Sequence, residues 1–66
     1  MKYKIVDCFN VVNDVTVLVL DKKIEHSRCK FVSIEGRHFD FDFNSVPTWI
    51  TIHSKENFRG KSLEFV

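Results

Sequence analysis

Hydrophobic and polar residues alternate along much of the 66-residue chain. In residues 38–43 the even positions are polar and the odd positions are aromatic: His38, Asp40 and Asp42 against Phe39, Phe41 and Phe43. Successive side chains of a β-strand point to opposite faces. We therefore predict a strand here, with its phenylalanines inside the protein and its polar residues in solvent.

The same alternation predicts six strands, at residues 2–10, 15–20, 30–34, 37–43, 48–53 and 61–66. Turn-forming residues separate them, as at 11–14 and at Glu35-Gly36. Pro47 cannot donate to a β-ladder and ends the fourth strand. Because closure removes exposed sheet edges, so many short strands in so short a chain predict an all-β fold. We expect a single small antiparallel β-barrel of five or six short strands, one domain over residues 1–66.

Three segments leave alternatives open. VTVLVL, residues 15–20, is apolar at nearly every position, which suits a strand covered on both faces or one inside a closed barrel. Residues 21–29 are polar and are predicted as one helical turn capped by Asp21 or as an extended loop. Residues 54–60 are predicted as a loop, with or without a short helical turn that begins at Ser54.

The composition favours an efficient core and gives no long-range electrostatic signal. The chain has nine Val, seven Phe, five Ile and three Leu. A domain of this size buries only about 60% of its unfolded surface, so large apolar side chains matter. The formal net charge of +1 gives no pull toward nucleic acid or an anionic membrane.

The two cysteines, Cys8 and Cys29, lack the close spacing of a zinc site. The strand pattern begins almost at the N-terminus, without an apolar signal segment, and no apolar run reaches the length of a membrane span. We therefore expect a reduced cytoplasmic protein, without a cofactor and away from membranes. Its thiols are expected to be buried, and a single disulfide is the alternative.

Metal binding and catalysis have only weak candidates. The histidines, His26, His38 and His53, lack the spacing of a structural zinc site. Cys29 lies near His26, with Ser27 between them, but no glycine elbow or oxyanion turn accompanies these residues. The short chain also leaves little volume for a pocket of about 300 Å³ or more. We therefore expect the protein not to be an enzyme.

The fifth predicted strand has one residue whose orientation matters most. If Ile50 and Ile52 face inward, Trp49, Thr51 and His53 face outward together. An outward Trp is a good anchor for a protein partner, because aromatic residues dominate binding hot spots. The alternative is that Trp49 fills the end of the barrel.

The loop at residues 55–61 suggests a second kind of contact. Lys55, Arg59 and Lys61 surround Phe58. In a small barrel, cations can follow a nucleic-acid backbone while a ring stacks on a base. The alternative is that Phe58 closes the barrel mouth and the charges are only solvated.

The order of the strands resembles the small β-barrel that forms the second domain of translational GTPases. In the resemblance, VTVLVL leads through a polar segment into KFVSIEG, and Gly60-Lys61 precedes the last strand. It implies a barrel fold and assigns no functional residues. The chain departs from that family in having only two glycines and no phosphate-binding loop.

Two hypotheses for the function follow. The first is a small non-enzymatic protein-interaction module that contacts another protein, or a second copy of itself, around Trp49. The alternative is a barrel that binds RNA or the ribosome weakly through the loop at residues 55–61.

Overall fold

A computed structural model describes residues 2–25 and 29–66 of the chain. They form six strands and no helix: β1 (Lys2–Val12), β2 (Val15–Leu20), β3 (Phe31–Ile34), β4 (Arg37–Phe43), β5 (Trp49–His53) and β6 (Ser62–Phe65). Each predicted strand is present, and the ends differ by at most two residues. In these residues no helix is long and apolar enough to cross a membrane.

The six strands close into an antiparallel barrel in the order β1-β2-β5-β4-β3-β6. Two strands are long enough to pair with different neighbours along their length. In β1, residues 2–4 pair with β6 and residues 5–12 pair with β2. In β4, residues 37–40 pair with β3 and residues 41–43 pair with β5. The predicted fold class is therefore confirmed, with six strands.

Backbone angles explain the two tight hairpins. Glu35 and Gly36 both have positive φ, 52° and 80°, between β3 and β4. That combination matches the right-handed twist of adjacent strands, so the hairpin forms with only two turn residues. Between β1 and β2, Asn13 has a φ of 27°. Its neighbours Val11 and Val12, predicted as part of the turn, continue β1 instead.

The barrel interior is filled by large apolar side chains from five of the strands and one loop. The buried cluster consists of Tyr3, Ile5, Leu18, Leu20, Val32, Ile34, Ile50, Ile52, Phe58, Leu63 and Phe65. Full burial of each such side chain contributes roughly 1.5–3 kcal/mol. The core therefore accounts for the chain's high content of branched and aromatic residues.

The alternating segment behaves as predicted for most of its length. Phe39 and Phe41 are half-buried against the core, and Phe41 lies edge-on to Phe65 with ring centroids 5.1 Å apart. The polar residues on the other face, His38, Asp40 and Asp42, are exposed. Phe43 departs from the prediction. It is opposite the buried Ile50, yet 53% of its surface is exposed because it lies at the end of the strand.

The polar segment after β2 forms no helical turn in its described part, residues 21–25. The Asp21 carboxylate accepts a hydrogen bond from the Lys4 N–H at 3.1 Å. The Asp21 N–H in turn donates to the Lys4 carbonyl at 3.0 Å. This side chain therefore ties the end of β2 to β1, and it does not cap a helix.

Candidate protein-contact surface

A β-bulge in β1 turns an aromatic residue toward solvent. Tyr3 and Ile5 point into the core, so unbroken alternation would place Phe9 inside as well. The register between β1 and β2 shifts between Ile5 and Asp7. An extra residue in one strand reverses which face the following side chains occupy. Phe9 therefore lies on the outside of the barrel, where it is 43% exposed.

The outer face of β2 continues this apolar surface. Thr16, Leu18 and Leu20 are buried, so the alternate residues of the strand face outward. We call the resulting surface the outer apolar patch and define it by Phe9, Val15, Val17, Val19 and Trp49. It explains why VTVLVL is apolar at nearly every position: its two faces serve the core and this patch.

The centre of the outer apolar patch is packed. Phe9 is opposite Val17, and Trp49 is opposite Val19, so the two aromatic residues flank β2 from either side. Their ring centroids are 5.9 Å apart and their planes are inclined by 55°. Val17 is only 8% exposed although it faces outward. The patch therefore forms a small apolar layer outside the closed barrel.

Ile50 and Ile52 face the core and are fully buried, which turns Trp49, Thr51 and His53 outward. Trp49 and Thr51 are half-buried, while His53 is exposed. Trp49 thus does not fill the barrel end, which was the alternative. Its partial burial comes from neighbours on the outer surface, including Phe9.

The loop at residues 54–60 closes the barrel mouth with Phe58. The ring is 1% exposed and lies edge-on to Phe39, with centroids 5.4 Å apart. A buried ring cannot stack on a base, so the prediction that Phe58 contacts nucleic acid is wrong. The alternative interpretation, in which Phe58 closes the barrel mouth, agrees with its burial. Lys55 and Arg59 are exposed. The Lys61 Nζ instead lies 3.2 Å from a Glu35 carboxylate oxygen.

An ion pair fastens this loop to β4. The Arg37 guanidinium donates two hydrogen bonds to the Glu56 carboxylate, at 2.5 and 2.7 Å. These hydrogen bonds lower the pKa of Glu56 below its usual value and raise that of Arg37. The guanidinium also lies 5.0 Å from the centre of the Phe39 ring. Glu56, which lies among the cations of the loop, is therefore paired with a residue of β4.

Polar contacts hold the β1–β2 hairpin over the start of the same loop. The Thr16 hydroxyl is buried and donates to the Ser54 carbonyl. The Asn10 amide donates to the carbonyls of Asn13 at 3.0 Å and Val15 at 3.2 Å. These bonds fix the hairpin that carries one side of the outer apolar patch.

Among residues 2–25 and 29–66, no group of three His, Cys, Asp or Glu side chains could hold a metal ion. His38 stacks on Phe31, with ring centroids 6.2 Å apart. Of the weak catalytic candidate His26, Ser27 and Cys29, the first two lie outside the described residues. Cys8 and Cys29 are free and half-buried, so the structure has no disulfide between them.

An open cleft of about 530 Å³ lies on the outside of the barrel, larger than the sequence led us to expect. It runs between the β3–β4 turn and the residues before β6. Its charged residues are Lys2, Glu35, Lys61 and Glu64. The lysines and glutamates balance, and Lys61 pairs with Glu35, so the cleft favours neither anions nor cations.

Comparisons with family models, with curated proteins and with solved structures gave no match.

Proposed function

We propose that the protein is a small non-enzymatic module that acts by protein–protein contact through the outer apolar patch. The observation that carries the proposal is the packed pair of Phe9 and Trp49 on the outside of a barrel whose interior is already filled. Outward strand positions usually carry polar residues when one sheet face is buried. The three outward positions of β2, Val15, Val17 and Val19, and the neighbouring Phe9 and Trp49 carry none.

The composition of the patch matches the centre of a protein interface. Interface cores are depleted in charged residues and enriched in aromatic ones, while the rim is polar. The patch has an aromatic pair at its centre, and Asp7 and Asp14 lie beside it on β1 and the following turn. Trp is also the residue type most often found to dominate binding energy. A partner that covers Phe9 and Trp49 would therefore remove a compact apolar surface from water.

Partial exposure of the aromatic pair separates a binding role from a purely structural one. Phe9 keeps 43% of its surface in water, whereas Val17 beneath the pair keeps 8%. The rings thus cover β2 and still present their outer faces. Burying that remaining apolar area releases roughly 25 cal/mol per Å², which favours association with an apolar partner surface.

Position-specific photo-crosslinking in the cells that make the protein tests the proposal. A benzophenone amino acid replaces Phe9 in one variant and Phe43 in a matched control, since Phe43 is similarly exposed at 53% but lies outside the patch. We expect discrete adducts from position 9 that disappear in the Trp49→Ala background, and none of these adducts from position 43. Equal adducts from both positions, or adducts that persist without Trp49, would contradict the proposal.

The RNA alternative is distinguished by salt. Nucleic-acid binding weakens steeply between low and physiological salt because counterions are released, whereas an apolar protein contact changes little. Pooled RNA is therefore tested at low ionic strength, with Lys55→Ala and Arg59→Ala as variants. We expect no binding, since Phe58 is in the core and Lys61 is paired with Glu35. The likeness to the GTPase barrel stays a prediction about fold.

A further inference from the structure

Charged residues are divided unevenly between the two halves of the barrel wall. The half that carries the outer apolar patch consists of β2, β5 and the parts of β1 and β4 that pair with them. Its paired segments contain no lysine or arginine, and their charged residues are Asp7 and Asp42. The strands of the other half carry three cations and two acids: Lys2, Lys4, Arg37, Asp40 and Glu64. The patch therefore lies on an acidic side of a chain whose formal net charge is +1.

Aspartates border the outer apolar patch on both sides. Asp7 is opposite Val19 on the outer face of β1, and its carboxylate accepts the Cys8 N–H at 2.8 Å. Asp42 is exposed and opposite Thr51 on the outer face of β4. Because β2 and β5 lie between β1 and β4, the patch lies between these two carboxylates. Two more exposed aspartates complete an acidic rim: Asp14 in the turn before β2 and Asp40 on the same face of β4 as Asp42.

No cation of the described residues neutralises this acidic rim. The ion pairs within residues 2–25 and 29–66 join Arg37 to Glu56 and Lys61 to Glu35. Neither pair includes an aspartate of the rim. Lys55 follows the end of β5 by two residues, yet it forms an ion pair with none of the four. The rim is therefore available to cations from outside the molecule.

The aromatic rings of the patch also lack a cation. Elsewhere in the described part of the chain, a lysine lies over the Tyr3 ring and an arginine over the Phe39 ring. No lysine or arginine there lies over Phe9 or Trp49. The face of an aromatic ring is electronegative and attracts cations, most strongly in Trp. The rings and the rim thus favour a ligand of the same charge.

We propose that the outer apolar patch binds a basic, amphipathic segment of another protein. Its apolar side chains would pack on Phe9 and Trp49, and flanking arginines or lysines would pair with Asp7 and Asp42. The inference rests on the proposed function and names the chemistry of the partner. Complementary charge across an interface acts mainly on partner choice and association rate. Arginine suits this surface better than lysine, because its planar guanidinium both stacks on an aromatic ring and pairs with a carboxylate.

The same charges disfavour the other possible occupants. A second copy placed patch against patch would bring two acidic rims together, and juxtaposed like charges cost binding energy. RNA and an anionic membrane are negative and would be repelled by the rim. A basic protein segment is the occupant that gains from both the apolar centre and the rim.

Trp49 reports directly on binding, because it is the only tryptophan of the chain and belongs to the patch. The probes are three short peptides in which the same leucines alternate with arginine, glutamate or serine. Each is titrated while the emission of Trp49 is followed. We expect the arginine peptide to shift the emission and to bind at least about tenfold more tightly than the glutamate peptide. This preference should shrink at about 0.5 M salt, where exposed charges are screened.

Matched variants show whether the acidic rim causes the preference. Asp7→Asn combined with Asp42→Asn should bring the arginine and glutamate peptides within about threefold of each other. Asparagine keeps an oxygen that can accept the Cys8 N–H, and thermal unfolding checks that the variant is folded. Glu64→Gln, an exposed acid in the other half of the wall, should leave the preference unchanged. Equal effects of the two changes would overturn the inference.

The remaining outcomes separate this inference from the proposed function. If all three peptides bind alike, the inference fails and a protein contact without charge preference is retained. If no peptide changes the emission of Trp49, the inference fails, and photo-crosslinking from position 9 decides the proposed function separately. A change in emission when the protein alone is concentrated, or when phosphatidylglycerol vesicles or pooled RNA are added, would overturn the inference in favour of a second copy, a membrane or RNA.

Discussion

Replacing Phe58 by alanine is expected to destabilise the barrel severely, although the residue lies in a loop. The ring is 1% exposed and makes an edge-on contact with Phe39. Truncation of a buried Phe to Ala costs about 3–5 kcal/mol, because transfer energy is lost and a cavity remains. A domain of 66 residues has a total stability of only about 3–10 kcal/mol. The variant should therefore lose a third or more of its stability.

Thermal and urea unfolding followed by circular dichroism measure the effect. In a domain of this size each kcal/mol shifts Tm by about 4–8 °C, so we expect Tm to fall by at least about 12 °C. Phe58→Leu keeps most of the volume and should lose less than about 1.5 kcal/mol. Phe43→Ala is the exposed control, and it should lose no more than about 1 kcal/mol, since roughly half of the ring is already in water.

A Phe58→Ala variant that unfolds within about 2 °C of the parent protein would refute this reasoning, since a buried ring cannot be removed so cheaply. Such a result would mean that the loop does not close the barrel. It would also return Phe58 to the RNA hypothesis, where its removal should weaken RNA binding without changing stability.

Three further predictions concern the patch, the loop and a turn. Trp49→Ala should lower the free energy of unfolding in urea by about 1–2 kcal/mol, less than the loss expected for a Trp in the core, because the side chain is half-buried. A loss above about 3 kcal/mol would indicate that Trp49 lies in the core. Glu56→Gln removes the ion pair with Arg37 that holds the loop at residues 54–60, and Cys8 contacts this loop. The variant should therefore speed the reaction of Cys8 with a disulfide reagent that is active in acid. The reaction rate of Cys29, the control, should not change. Because the pKa of Glu56 is lowered in the folded protein, its ion pair with Arg37 contributes its full stabilisation above the usual carboxyl pKa of about 4.3. This stabilisation is lost as the pH falls through the lower pKa of the folded state, so acid should have the same effect as the substitution. Equal acceleration of both thiols would contradict the prediction. Gly36→Ala should lower the free energy of unfolding by about 1–2 kcal/mol, because the φ of 80° is unfavourable for alanine. The backbone conformation alone accounts for this loss, since the added methyl group meets no atom within 4 Å. An unchanged Tm would refute the prediction.

The strands and turns could be predicted because they rest on local properties. Alternation at residues 38–43 fixed which side chains share a face, and Gly36 supplied the positive φ that the hairpin needs. The sequence predicted that Trp49 faces outward only if Ile50 and Ile52 face inward. In the structure both isoleucines are buried in the core, so this condition holds. The candidate protein contact was therefore half visible in the sequence.

The other half of the patch was hidden by the bulge in β1. Simple alternation from Tyr3 and Ile5 would have placed Phe9 in the core, and a single Asp7 beside Val6 is too weak a signal to locate the register shift. A bulge depends on how two strands align, which is a property of the pair and not of either sequence. Phe9 was missed for this reason, although a strand with both faces apolar, 15–20, hinted at an outer partner.

The loop at residues 54–60 shows the same limit. Its composition of cations around Phe58 fits a nucleic-acid contact as well as a plug. Arg37 lies 19 positions from Glu56 and could not be paired with it from spacing alone. The local sequence could not tell whether the ring turns toward solvent or toward the core.

By itself, then, the sequence determined an all-β chain, the places of its strands and tight turns, and the polar face of β4, because each depends on neighbours two or three residues apart. Only the tertiary structure decided that Phe9 meets Trp49 outside, that Phe58 enters the core, and that β1 divides its pairing between β2 and β6. These depend on which distant strands align and where each pairing stops, and the chain meets those constraints only once the barrel has closed.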